Sequence, residues 1–349
     1  MGRTLRAIIA LLVVIVIASS CSRSTSNGDH ASDSATSSTT DPAIATAIYD
    51  PYVNTIPAAE PVGSSVEHSI KTPDGLTRTY RIYVPSKIEP RTQVPLVLAF
   101  HGGGGSGSGF ESNSGFSGLA ESNNFIVVYP DGTPARASND RQLVWNGGVC
   151  CGAAIERNID DVEFVRLLLD ELERSQPIDR DRVFATGHSN GAIFSYRLAC
   201  ELSERVSAIG VQSGAIGVPC APSQPVSVFH LHGLADTNIP IDGGKGSGVS
   251  GVVFPSPREA PAEFAVIEKC AEGPADSLDS QNPDVAARTW SKCRENRVIQ
   301  FVTVAGASHA WMGRDDAAPN ARLLVGAPYK NFDASRAIWS FFSLQTTRA

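Results

Sequence analysis

Gly187-His188-Ser189-Asn190-Gly191 is the stretch of this chain best suited to chemistry. It follows the short apolar run Val183-Phe184-Ala185-Thr186 and precedes the helix-like stretch 192–199. Strand, G-x-S-x-G, helix is the context in which a sharp turn pushes a serine hydroxyl out of a sheet edge. Glycines two before and two after the serine leave room for a backbone that side chains would crowd. Of the glycine pairs four apart, only this one has serine at its centre. The pairs at 103/107, 105/109, 148/152, 210/214 and 244/248 carry Gly, Gly, Cys, Gln and Gly there. The structural alternative is a tight turn with an incidental serine.

A serine becomes a nucleophile when a general base and an orienting acid stand behind it. With this elbow the chain order is Ser, then Asp or Glu, then His. Three histidines follow Ser189. His230 and His232 lie in or at the end of a strand, ahead of any suitable acid. His309 lies in the loop Gly306-Ala307-Ser308-His309-Ala310-Trp311 after a late strand, which makes it the candidate base. Asp236 follows His232-Gly233-Leu234-Ala235 just past the strand and is the candidate acid, with Asp242 as the runner-up. An oxyanion would rest on two backbone N–H groups. One is expected from Asn190. The other is expected from the loop His101-Gly102-Gly103-Gly104-Gly105, with Gly103 first and Gly102 or Gly104 as alternatives. His101 is expected to brace that loop. The chemistry is acyl transfer through serine, which needs no metal or cofactor.

The same loop holds a decoy. Residues 102–107 fit G-x-G-x-x-G after a strand, and Asp131 ends the next strand. That is a dinucleotide-binding pattern in outline. In so glycine-rich a run the match is nearly automatic, an exported protein meets little NAD, and Ser189, Asp236 and His309 would be left unexplained.

The elements that must position these residues can be read from the apolar pattern. Residues 66–70 and 77–84 flank the turn signal Pro73-Asp74-Gly75 and read as an antiparallel pair. Residues 96–100 and 125–129 are continuous apolar runs, as expected of strands buried on both faces. Residues 160–174 read as a helix with Val162, Val165, Leu168, Leu169 and Leu172 on one face. Strands follow at 183–186, 208–211, 226–231 and 298–304, and a last helix at about 334–342. Alternating buried strands and amphipathic helices predict a doubly wound, mostly parallel α/β sheet with helices on both faces, in one catalytic domain spanning 63–346. The glycine-rich stretch 243–251 reads as a mobile surface loop.

The chain has 349 residues, 42% of them hydrophobic, and a formal net charge of −7. That balance offers no basic footprint for nucleic acid. Arg3 and Arg6 precede the apolar stretch 7–18, an export signal over 1–20. Ala18-Ser19-Ser20-Cys21 is similar to a lipobox with Ala18 in place of leucine, so Cys21 is expected to carry lipid, ordinary cleavage being the alternative. The Ser/Thr-rich remainder of 21–62 reads as a disordered tether. The protein is thus expected outside the cell, held to the membrane only by its lipid. Six further cysteines suggest three disulfides. Proximity favours Cys270 with Cys293. Cys150, Cys151, Cys200 and Cys220 pair either as Cys200–Cys220 with a vicinal Cys150–Cys151, or crosswise. Zinc is disfavoured, since no C-x-x-C pair is present.

His101-Gly102-Gly103, Tyr129-Pro130-Asp131-Gly132, Trp145-Asn146, Asp160-Asp161-Val162, the elbow, His232 to Asp236 and His309-Ala310-Trp311 occur in this order. Over roughly residues 65–345 the chain resembles the polyhydroxybutyrate depolymerase and feruloyl-esterase-like family of secreted esterases, including actinobacterial lipoproteins. The resemblance implies an α/β-hydrolase fold, hydrolysis of small or oligomeric esters, Ser189 as nucleophile, Asp236 as acid, His309 as base, and Trp145 and Trp311 flanking the cleft. The HGGGG loop lacks the cysteine that polymer depolymerases often carry, and no polymer-binding module is seen, which favours soluble esters. The rivals are an acyltransferase or peptidase on the same fold and a silent envelope-binding lipoprotein.

Overall fold

The computed structural model describes residues 63–89, 92–136, 139–248, 250–314 and 319–345. The expected export signal, Cys21 and the tether to residue 62 lie outside them.

Among the described residues, ten strands form one sheet. Its centre is parallel, from β4 (Ile126–Pro130) through β3 (Val94–Phe100), β7 (Ile178–His188), β8 (Ala208–Gln212) and β9 (Ser227–Gly233) to β14 (Ile299–Val304). Antiparallel pairs extend both ends. β2 (Thr77–Tyr83) and β1 (Ser65–Lys71) continue from β4, and β13 (Val285–Ser291) and β12 (Glu272–Leu278) continue from β14. Every residue of β3, β4, β8 and β9 is buried, which is why 96–100 and 125–129 read as unbroken apolar runs.

Helices cover both faces. One face carries α4 (Asp161–Ser175), α5 (Asn190–Glu201) and α6 (Glu259–Ile267), and the other carries α1 (Gly107–Ser114), α2 (Phe116–Asn123) and α8 (Ala334–Ser343). The shorter helices are α3 (Gly152–Glu156) and α7 (Pro319–Val325). α4 starts where Asp160 accepts the Glu163 N–H at 2.9 Å, a side-chain cap on an otherwise unbonded donor. It buries Val162, Val165, Leu168, Leu169 and Leu172 along one stripe. Each fully buried leucine contributes about 2 kcal/mol through removal of apolar surface from water. The doubly wound architecture expected from the sequence is therefore present.

Three features were not anticipated. The hairpin of β12 and β13 extends the sheet, yet β12 reads EGPADSL and is exposed throughout, so no hydrophobic period marks it. A second hairpin pairs β5 (Thr133–Arg136) with β6 (Asn139–Val144). The stretch expected to be a loop contains β10 (Gly244–Lys245), which pairs with β11 (Val253–Phe254) through backbone bonds that composition does not reveal. Cys270 bonds Cys293, Cys200 bonds Cys220 and Cys150 bonds Cys151, so the pairing is not crosswise.

Candidate active site

The elbow forms because the chain leaves β7 and enters α5 within one residue. Ser189 takes φ 56° and ψ −118°, a region that non-glycine residues occupy only when their surroundings enforce it. Its N–H donates to the Gln212 carbonyl at 3.0 Å and its own carbonyl accepts the Ile193 N–H at 3.0 Å. A methyl group at Gly187 would lie 2.5 Å from the Gly191 carbonyl, and one at Gly191 would lie 2.2 Å from the Phe100 carbonyl oxygen. Only glycine fits at either position.

Three elements bring three side chains together. His309 Nε2 lies 2.9 Å from Ser189 Oγ, and His309 Nδ1 lies 2.7 Å from Asp236 Oδ2. The carboxylate can only accept, so Nδ1 carries the proton and Nε2 is left to take one from the serine. Asp236 Oδ1 accepts the N–H groups of Asn238 and Ile239 at 2.9 and 3.0 Å. Burial works against ionisation of Asp236, but the His309 hydrogen bond, the fields of His309 and His232 and the Ile239 N–H outweigh it. They hold the carboxyl well below the usual range. The runner-up Asp242 is exposed and pairs with Arg258 at 2.7 Å.

The loop bearing His309 is held from the ends of β7 and β8. His188 Nε2–H donates to the His309 carbonyl at 2.6 Å. Gln212 donates to the Ala310 carbonyl at 2.9 Å and accepts the Met312 N–H at 3.1 Å. Burial lowers the His188 ring to about 3, aided by His309 and opposed by the bond to the His309 carbonyl and by Asp236, so the ring is neutral. Sequence reasoning passed over both residues. The only available signal was their position, each at the carboxyl end of a buried strand.

The glycine loop lies alongside the elbow. An ideal Cβ on Gly102 would be 3.5 Å from Ser189 Cβ, and one on Gly103 would be 3.5 Å from Asn190 Cβ. The Gly104 N–H donates to the Leu143 carbonyl at 2.8 Å, which removes Gly104 from the oxyanion candidates. The Gly102 and Gly103 N–H groups have no acceptor among the described residues. Asn190 is the first residue of α5, so its N–H has no intrahelical acceptor. His101 braces the loop. It is buried, donates through Nδ1 to the Gly102 carbonyl at 2.8 Å and accepts the Gly132 N–H through Nε2 at 3.1 Å. Burial pulls its ring down to about 4. The acid of the dinucleotide pattern is occupied, since Asp131 accepts from the Gly107 N–H and from Thr79, both at 2.7 Å.

The two tryptophans expected beside the cleft are inside the protein. Trp145 is fully buried, stacked on Phe194 and edge-on to Phe100. Its backbone N–H and carbonyl bond the Asn190 side chain at 2.8 and 2.9 Å, and its indole N–H donates to the His101 carbonyl at 3.1 Å. It is a strut between the glycine loop and the elbow. Trp311 is 2% exposed, edge-on to Phe110 and His188, with its N–H on Ser335 Oγ at 3.0 Å. A large ring with one polar atom gains most where the ring is dry and that atom is bonded, and both tryptophans find such places in the core.

A protein-family model described as "Putative esterase" matches residues 75–225. "Probable feruloyl esterase C" of Aspergillus terreus is 30% identical over 273 residues, covering 76% of this chain and 84% of that protein. "Putative esterase NocK" of Nocardia uniformis subsp. tsuyamanensis is 30% identical over 263 residues, covering 68% and 72%. The "Bifunctional acetylxylan esterase/xylanase XynS20E" of Neocallimastix patriciarum is 24% identical over 241 residues, covering 69% of this chain and 32% of that protein. The chain spans less than half the length of the first curated relatives it matches.

Proposed function

The chain belongs to the feruloyl-esterase-like family of α/β-hydrolase carboxylic ester hydrolases, and from that premise we propose that it is an exported serine esterase acting through Ser189, His309 and Asp236. The observation that carries the proposal is the hydrogen-bonded line from Ser189 Oγ through His309 to Asp236, built on an elbow whose serine is held at positive φ.

Ser189 Oγ attacks the ester carbonyl carbon while its proton passes to His309 Nε2. Asp236 holds the resulting imidazolium through Nδ1–H. The oxyanion is received by the N–H groups of Asn190 and Gly103, with the Gly102 N–H, which also lacks an internal acceptor, as the alternative to Gly103. Collapse expels the alcohol, which takes the proton from Nε2. Water, deprotonated by the same nitrogen, then attacks the acyl-enzyme and releases the acid. The substrates are feruloyl or other aromatic esters, acetyl esters, or short hydroxyalkanoate esters. The family relationship supports the first two through the names its members carry. Two disulfides joining residues distant in sequence, Cys200–Cys220 and Cys270–Cys293, support an oxidising destination. Export through the N-terminal signal, with lipid on Cys21, accords with them.

The experiment is fluorophosphonate labelling read by intact mass. Wild type gains one adduct and Ser189→Ala gains none. A folded wild-type protein that takes no label would refute the proposal.

A further inference from the structure

Two buried histidines on β9 have no part in these steps. His230 and His232 are fully buried and alternate with Phe229 and Leu231, so both point to the face covered by α5 and α6. Central strands carry aliphatic residues at such positions, and a buried ring nitrogen without a partner is strongly destabilising. Every ring nitrogen here has one.

The hydrogen bonds form a single ordered chain. Tyr196 Oη lies 2.8 Å from His230 Nδ1, His230 Nε2 lies 3.2 Å from His232 Nδ1, and His232 Nε2 lies 2.9 Å from the Ile239 carbonyl. The carbonyl only accepts, so His232 Nε2 bears the proton and its Nδ1 accepts from His230 Nε2–H. His230 Nδ1 then accepts from the Tyr196 hydroxyl. One assignment of protons satisfies all three bonds. Burial drives His230 well below its ordinary value and brings His232 to about 4 against the attraction of Asp236, and burial raises the Tyr196 phenol. The chain therefore presents a dipole and no charge. The charged or titratable groups facing it are Asp236, His309 and Arg258 at one end and Glu263 on α6 at the other.

The proton-bearing end is bonded to the Ile239 carbonyl and lies beside the acid. Ile239 closes the turn whose N–H groups grip Asp236 Oδ1. The same His232 Nε2 lies 3.7 Å from Asp236 Oδ2, the oxygen that His309 bonds. We propose that Tyr196, His230 and His232 are positioning residues for the acid: together they lock the Asp236 turn through the Ile239 carbonyl and set the positive end of a ring dipole beside the carboxylate oxygen that His309 uses. The proposal rests on Asp236 being the acid of the triad. None of the three residues touches substrate.

Steady-state kinetics of the full-length chain on 4-nitrophenyl acetate test this. His232→Leu is expected to lower kcat about tenfold with KM within about twofold, a part of the rate that a well-placed base supplies. His232→Gln, which keeps an N–H at similar reach, recovers most of the loss. On an Asp236→Asn background the His232→Leu loss disappears, because no carboxylate remains to be aimed. Folded His232→Leu with kcat within about twofold of wild type, or with the same loss on both backgrounds, overturns the proposal. Should His232→Leu fail to fold, Tyr196→Phe, which removes one hydroxyl, carries the same two-background comparison. Wild-type kcat in Asp236→Asn alone would remove the triad assignment, and this proposal with it.

Discussion

Acid should destabilise this protein while most of its carboxylates are still ionised, because its buried histidines are neutral. Burial takes the rings of His101 and His232 from an ordinary 6.5 to about 4. Unfolding returns each ring to water and its ordinary value. Between these two values the unfolded chain binds protons that the native chain refuses. Stability is therefore complete above about pH 6.5 and is lost as pH falls toward about 4. A gap of that width at ~1.4 kcal/mol per pH unit gives about 3 kcal/mol for each ring. The pair thus represents on the order of 6 kcal/mol, comparable to the whole stability of many domains. His188 and His230 are lowered too and act in the same direction. Asp161 and Asp333, raised chiefly by burial, act oppositely as they take up protons in the native state. Asp236 acts in a lower window. Its contribution is present above its ordinary 3.8 and lost as pH falls further. Urea unfolding followed by tryptophan fluorescence, from about pH 7.5 to about pH 4.5, should show stability falling by several kcal/mol. His101→Gln should lessen the slope by about 1.4 kcal/mol per pH unit. A flat profile over that range, or an unchanged slope in the variant, would refute the assignment of neutral buried rings.

Two further predictions concern the frame around the serine. Gly191→Ala places a methyl 2.2 Å from the Phe100 carbonyl oxygen, where ordinary contact begins at 3.4 Å, so the elbow or β3 must move by about an ångström. A displacement of that size should lower kcat/KM by about 10²-fold, and near-wild-type kinetics would show that the elbow can give. Trp145→Phe keeps the stacking and loses the bond to the His101 carbonyl. It should lower kcat with KM unchanged and cost about 1 kcal/mol in urea unfolding. A rise in KM alone would return Trp145 to the cleft wall.

The proposed catalytic constellation was more legible in the sequence than its support. Ser189 announces itself through glycines whose hydrogens touch neighbouring backbone, a constraint that leaves a local pattern. Asp236 and His309 follow from chain order and from where buried strands end. The surroundings are set by contacts that no local pattern records. Trp145 and Trp311 adjoin motif residues, yet their rings turn inward because each N–H finds its acceptor in a distant loop or helix. Gln212 grips a backbone about a hundred residues away. His230 and His232 read as ordinary strand residues until the Asp236 turn is seen at the end of their hydrogen-bonded chain. The β12 strand could not be read at all, since it is polar and owes its conformation to pairing with β13.

The two rims of the sheet bear on how this protein behaves among copies of itself. Its inner strands β3 and β4 carry short runs of aliphatic and aromatic residues, the kind of segment that stacks into aggregates when a free edge offers itself. The outermost strands offer a poor template. β1 carries Glu67 and Lys71 in water, and β12 carries Glu272, Asp276 and Pro274, the last with no N–H to donate. A bulge between Glu272 and Ala275 further breaks the regular spacing an incoming strand would need. The hairpins that widen the sheet beyond its parallel centre are thus also end-stops. They let a core of sticky strands hold its elbow rigid while offering an incoming strand little to pair with.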